Sequence, residues 1–215
     1  MVRINLAQEE YDLSLKDKDR LTYGSSGDIF PAVCVATKKR YVIKMFYKGL
    51  NKKAENEKLC YEVLQNCPNV AECKAMDIYQ GRVCLVLERG GCDLAAHFQA
   101  NGSLNEIRKR FFEVFFGVKN IHEKEIFHND LQLQNVIMVD QDGEKIAKII
   151  DFGKSVINGV VDQHKDVFQA GNMLKEALQL YGYQVPAFVN LMIGTPQKRP
   201  SMEIVLEDNW FTLKD

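Results

Sequence analysis

His128-Asn129-Asp130-Leu131-Gln132-Leu133-Gln134-Asn135, followed sixteen residues after Asn135 by Asp151-Phe152-Gly153, is the stretch on which the reading of this chain turns. It gathers three oxygen-bearing side chains, Asp130, Asn135 and Asp151, around two short apolar runs, Val136 to Val139 and Ala147 to Ile150. The intervening Asp140-Gln141-Asp142-Gly143 marks those runs as a hairpin. A single acid in such a place is usually a turn or cap residue. Together, in this order, the three suit phosphoryl transfer, which asks a protein for little covalent chemistry. Asp130 can orient an attacking hydroxyl, while Asn135 and Asp151 can supply oxygen ligands to Mg²⁺.

Upstream the chain offers what could meet the phosphates. Gly24-Ser25-Ser26-Gly27 alone reads as an ordinary turn, but it leads through Asp28 into the β-rich Ile29-Phe30-Pro31-Ala32-Val33. A flexible strand-turn-strand places backbone N–H groups on phosphate oxygens, since glycine lets the main chain come close. Val42-Ile43-Lys44 opens fourteen residues after Asp28, and Lys44 can add a cation to the same phosphates. Glu57 can hold Lys44 by a charge-assisted hydrogen bond. Glu55 and Glu62 compete with it, but Glu57 stands four before Tyr61 and seven before Leu64, beside a helical packing stripe.

With 215 residues, 46% of them hydrophobic, the chain can bury a sizeable core as one domain or two small lobes. Its 28 basic and 29 acidic residues leave a formal charge of -1, which favours neither nucleic acid nor an anionic membrane. Met1 to Leu15 alternates apolar with polar residues and lacks the apolar stretch of a signal peptide, so a cytoplasmic protein is expected. All six cysteines lie in the first half without a Cys-x-x-Cys pair and read as reduced thiols.

Strands are expected at Ile29 to Ala36, Arg40 to Phe46 and Arg82 to Leu87. A helix is expected over Lys52 to Gln65, with Ala54, Leu59, Tyr61, Val63 and Leu64 as its stripe. Past Gly90-Gly91 the period becomes helical, with helices at Leu104 to Lys124, Lys165 to Tyr181, Pro186 to Ile193 and Ser201 to Glu207. The fold class is α+β: a β-rich first lobe over about 12 to 88 with one helix, a hinge at 88 to 91, and a helical second lobe from about 92 to 215.

In order and spacing, Gly24 to Ile29, Val42-Ile43-Lys44, Glu57, His128 to Asn135 and Asp151-Phe152-Gly153 resemble the protein kinase signature over about residues 15 to 212. That resemblance implies a two-lobed kinase fold with ATP between the lobes, used with Mg²⁺ or alternatively Mn²⁺. It casts Asp130, Lys44, Glu57 and Gln132 as catalytic, and Gly24, Ser25, Ser26, Gly27, Ile29 and Lys44 as cofactor-binding. Leu87 would be the gatekeeper, backbone groups of Glu88 and Gly90 would meet adenine, and Asp93 would approach the ribose. Asn135 and Asp151 would hold the metal. Asp166 to Gly171 looks like the start of the central helix whose aspartate holds the catalytic loop, and Lys198 to Met202 with Asn209-Trp210-Phe211 looks like the closing helical element.

Several positions depart from the pattern. Asn129 replaces an arginine that often reads a loop phosphate, and Gln132 replaces a lysine near the transferring phosphate. Only fifteen positions separate Asp151 from Asp166, and no Ala-Pro-Glu stands there, so the peptide-docking segment is largely missing and Arg199 loses its usual glutamate. Such reduction resembles minimal kinases that pathogens and viruses direct at host proteins, which implies constitutive activity and, for an effector, the host cytosol. The expected partner is a protein substrate, with no nucleic acid or membrane, and a monomer is favoured. Two alternatives stay open: a pseudokinase or decoy that binds a kinase or chaperone, and a small-molecule kinase.

Overall fold

Alternating burial along the first strands sets the architecture. The computed structural model describes residues 1–16, 21–23, 26–158 and 163–212. The strands are β1 (Val2–Leu6), β2 (Glu9–Leu13), β3 (Thr22–Tyr23), β4 (Gly27–Cys34), β5 (Arg40–Phe46), β6 (Cys73–Tyr79) and β7 (Arg82–Glu88), with helix α1 (Asn51–Val63) after β5. They form one antiparallel sheet in the order β1-β2-β4-β5-β7-β6, with β3 also on β4. Every second residue of β4 and β5 turns inward, so Phe30, Ala32, Tyr41, Ile43 and Met45 pack with Leu6, Tyr11 and Val86 in one core.

Pro31 is tolerated inside β4 because β3 covers only Asp28 and Ile29 and β2 begins at Ala32, leaving Pro31 with no partner on that side among the described residues. The strand expected at Ile29 to Ala36 runs instead from Gly27 to Cys34. A turn through Lys38, whose φ is +60°, closes it early with Cys34 and Lys39 hydrogen-bonded.

The β1–β2 hairpin escapes a sequence reading. Its two-residue loop, Ala7-Gln8, holds φ of +48° and +67°, the left-handed pair that Asn-Gly normally announces. The Ala7 amide donates to Asp77 Oδ2 at 2.8 Å, and Arg3 pairs with Asp12 across the strands at 2.8 Å. The first unit therefore starts at Met1 rather than at about residue 12, and comprises Met1–Gln65 with Ala71–Arg89.

The second unit comprises Asn66–Val70 and Gly90–Asp215. Its elements are α2 (Leu94–Ala100), α3 (Leu104–Glu123), β8 (Ile126–Phe127), β9 (Val136–Gln141), β10 (Glu144–Ile149), β11 (Val156–Ile157), α4 (Gln163–Leu180), α5 (Ala187–Met192) and α6 (Met202–Leu206). Helix α3 buries Ile107, Phe111, Val114, Phe115, Val118 and Ile121 at helical spacing, and Ser103 caps its first turn. The β9–β10 hairpin turns through Asp142 and Gly143, both with positive φ.

Arg199 has a substitute for the glutamate. Its Nε donates to the Gly194 carbonyl at 3.0 Å and its Nη1 to the His164 carbonyl at 2.7 Å, while the guanidinium lies 4.7 Å from the Phe168 ring centroid. Among the described residues, no helix is long and apolar enough to cross a membrane.

Candidate functional site

In the first unit, β5 and α1 bring a cation and an acid together. Lys44 Nζ donates to both oxygens of Glu57 at 2.7 Å, with the two side chains only 4% and 0% exposed. Desolvating both charges offsets most of their attraction, so the pair does more to fix where the ammonium sits than to stabilise the fold. Glu57 lies on the buried stripe itself, with Ala54, Cys60, Tyr61 and Leu64. Leu59 and Val63, read from the sequence as part of that stripe, are exposed because α1 covers only one face.

The other expected cofactor-binding positions are less uniform. Gly24 and Ser25 lie outside the described residues. Ser26 is buried, and its carbonyl accepts the Tyr47 amide at 3.0 Å. A Cβ at Gly27 would collide with the Met45 carbonyl, so close packing against β5 already accounts for this glycine. Ile29 stands opposite Lys44 in the β4–β5 register. Next to it, the buried Asp28 accepts from Arg82 at 2.9 Å and from Tyr47 at 3.1 Å, a partly buried network missed from sequence.

Glu88 is tied to Glu72 twice, its amide donating to the Glu72 carbonyl at 2.8 Å and its carboxylate accepting the Glu72 amide at 3.0 Å. In the second unit, Gly90 sits so near Ile137 that a Cβ would lie 2.8 Å from the Ile137 Cβ. Asp93 caps α2, accepting the Ala96 amide at 2.8 Å.

The densest arrangement is the loop from His128 to Asn135. Asp166, fully buried in the first turn of α4, accepts the His128 amide at Oδ2 and the Asn129 amide at Oδ1, both at 2.7 Å. His122 Nε2 approaches the same Oδ2 at 3.0 Å. Burial alone would raise this carboxyl's pKa, but the hydrogen bonds from His122 and from the Asn129 amide outweigh it and hold the pKa below its ordinary value. One helical turn on, Gln169 accepts the Leu131 amide at 3.0 Å and donates to the Asn129 carbonyl at 3.2 Å. The i, i+3 spacing of Asp166 and Gln169 on α4 is the signal that could have found Gln169.

Held this way, the loop presents its polar groups. Asn135 Nδ2 donates to the Asp130 carbonyl at 2.8 Å and reaches Asp130 Oδ2 at 3.5 Å. Lys154, which sequence reading passed over, donates to Asp130 Oδ1 at 2.9 Å. The lysine is 63% exposed, and a pair in that position contributes little to stability. Gln132 is exposed and makes no capping hydrogen bond to the short helix Leu133–Asn135.

Asp151 adopts φ +66°, a left-handed conformation that costs a non-glycine residue about 1 kcal/mol or more. Both neighbours enforce it. The Ile150 amide donates to the Asn135 carbonyl at 2.9 Å, and Phe152 is buried with its ring 5.0 Å from that of His128. No cluster of three or more His, Cys, Asp or Glu suited to an ion occurs among the described residues. An ion here would therefore draw on the Asn135 amide oxygen and the Asp151 carboxylate, with phosphates and water completing its shell. Hard oxygen donors few in number fit Mg²⁺ or Mn²⁺.

His128 reports on the loop's integrity. Its Nδ1 accepts the Asp130 amide at 3.3 Å, and its Nε2–H donates to the Ile150 carbonyl at 3.0 Å, roles that together require the neutral ring. Complete burial pushes its pKa below the ordinary 6.5. The unfolded chain thus binds this proton more readily, so the stability His128 contributes is present above about 6.5 and lost as pH falls below it. The unfolding midpoint should decline on acidification through that window, whereas the stability that Asp166 contributes through its lowered pKa is fully present above its ordinary 3.8 and is lost only as pH falls below that value. A flat midpoint from about pH 7 to pH 5.5 would contradict a buried neutral imidazole.

The family model described as protein kinase domain matches residues 15–171. The chain is similar to CBL-interacting serine/threonine-protein kinase 17 of Arabidopsis thaliana, 30% identical over 145 residues, which cover 63% of this chain and 32% of that protein. It is similar to calcium-dependent protein kinase 5 of Plasmodium falciparum, 31% identical over 147 residues, 64% of this chain and 25% of the other. Protein kinase C eta type of Mus musculus is 29% identical over 149 residues, 64% and 21% of the two chains. The matched region is thus a third or less of each of these relatives.

Proposed function

We infer what this chain does from one premise: it belongs to the protein kinase family. It is a serine/threonine protein kinase that moves the γ-phosphate of Mg·ATP to a hydroxyl of a protein substrate. The observation that carries this reading is the loop clamped by Asp166 and Gln169, which sets Asp130 beside Asn135 within hydrogen-bond range. Lys44, fixed by Glu57, supplies a cation to the nucleotide phosphates. When bound, Mg²⁺ or Mn²⁺ on Asn135 and Asp151 neutralises charge on the phosphates. Backbone groups at Glu88 and Gly90 meet the adenine.

Activity is constitutive in this reading. The Asn129 side chain donates to the Phe127 carbonyl at 3.3 Å within its own loop, and as an amide it lacks the charge that reads a loop phosphate. The enzyme acts in the cytoplasm, where cysteines without paired spacing stay reduced, or in a host's cytosol on a host protein if it is an effector.

The test is transfer of labelled γ-phosphate from Mg·ATP into a eukaryotic cell lysate, with Asp130→Ala as the control. Bands labelled by the parent and missing from the control are expected, and their mass identifies the substrate. Nucleotide binding without any labelled protein would replace this reading with a pseudokinase or a small-molecule kinase.

A further inference from the structure

Lys154 stands where the chemistry of Asp130 needs a cation and Gln132 provides none. The loop position two residues after Asp130 holds an exposed amide in place of a charge. The ammonium of Lys154 reaches Asp130 Oδ1 at 2.9 Å from the turn that follows Asp151, a different segment of the same unit. Both flanks of that turn are pinned. Phe152 is buried against His128, and the Ser155 amide donates to the Phe152 carbonyl at 3.0 Å. The Ser155 hydroxyl, itself buried, donates to the His128 carbonyl at 3.3 Å. The backbone beneath Lys154 is thus tied to the catalytic loop, while its side chain stays 63% exposed and accessible to a ligand.

We propose that Lys154 is the catalytic cation of the transfer step, taking from the turn after Asp151 the part that Gln132 leaves empty. This inference rests on the kinase reading above. In the step, the acceptor hydroxyl oxygen forms a bond to the γ-phosphorus, and the bond from that phosphorus to the β,γ-bridging oxygen breaks. Its electron pair stays on the departing ADP, and the hydroxyl proton passes to the Asp130 carboxylate. Before transfer, the ammonium is balanced by that carboxylate. As Asp130 takes the proton its charge disappears, and the ammonium is left to compensate the transferring phosphoryl oxygens. Lys154 therefore helps the transition state more than the ground state, and its removal should fall on kcat.

The experiment measures ATP kinetics of the full chain at saturating Mg²⁺ with dephosphorylated casein as acceptor. It compares the parent with Lys154→Ala and with Lys154→Ala combined with Gln132→Lys. Lys154→Ala should lose on the order of 10²-fold in kcat, keep KM for ATP within about threefold, and unfold at the parental temperature. Adding Gln132→Lys should bring kcat back to within roughly tenfold of the parent, which a merely structural lysine would not allow. Parental kcat in Lys154→Ala, a loss confined to KM, or a double variant as slow as the single one would each overturn the assignment while leaving the kinase reading in place. A parent that transfers phosphate neither to casein nor to any lysate protein overturns the kinase reading, and this assignment with it.

Discussion

Asp151→Ala should lose on the order of 10³-fold or more of the Mg-dependent ATP turnover proposed above, because the charge stabilisation that an ion would supply goes with its proposed carboxylate ligand. Asn135 would be left to hold the metal through one neutral oxygen. Alanine also removes a side chain that tolerates the left-handed backbone at this position, where φ is +66°, so part of any loss could come from the turn. Asp151→Asn separates the two effects. It keeps the shape and the backbone tolerance and removes only the charge, so its unfolding midpoint should match the parent's while turnover stays low. Unchanged turnover in either variant would remove Asp151 from the metal site.

The second large effect is on stability. Asp166→Ala should cost about 3–5 kcal/mol, since it strands two loop N–H groups and a histidine around a fully buried position. That is a large share of the roughly 5–15 kcal/mol that holds a typical domain together. Asn at this position should be nearly as damaging as alanine. Its amide oxygen can replace only one of the two carboxylate oxygens, and its NH₂ would then point at the N–H on the other side. Urea unfolding checks this, and a loss below about 1 kcal/mol for the alanine variant would mean that the loop keeps its shape without the carboxylate.

How much of this was legible in the sequence follows from which residues carry their meaning locally. Asp130, Asn135 and Asp151 are few in type and strict in order, and could be read as a set. Glu57 could be chosen over Glu55 and Glu62 because its spacing to Tyr61 and Leu64 puts it on one helical face, where the structure finds it bonded to Lys44. The β1–β2 hairpin was not legible, because Ala7 and Gln8 adopt a turn that their types do not advertise. Gly27 looked like a phosphate-loop glycine, whereas its missing side chain is demanded by the neighbouring strand. Lys154 was invisible for a different reason. A lysine in a turn is ordinary until tertiary structure sets it against a carboxylate 24 residues earlier in the chain.

Arg199 shows what it means to answer an arginine with carbonyls. Its acceptors at Gly194 and His164 are neutral dipoles in fixed directions, and its third neighbour is the flat face of Phe168. A lysine would bring the same charge but neither the fork nor the plane. Added salt shields an exposed ion pair such as Arg3 with Asp12, yet it has little purchase on an anchorage built from direction and shape. The segment around Arg199 is therefore fastened to α4 by a contact largely indifferent to ionic strength.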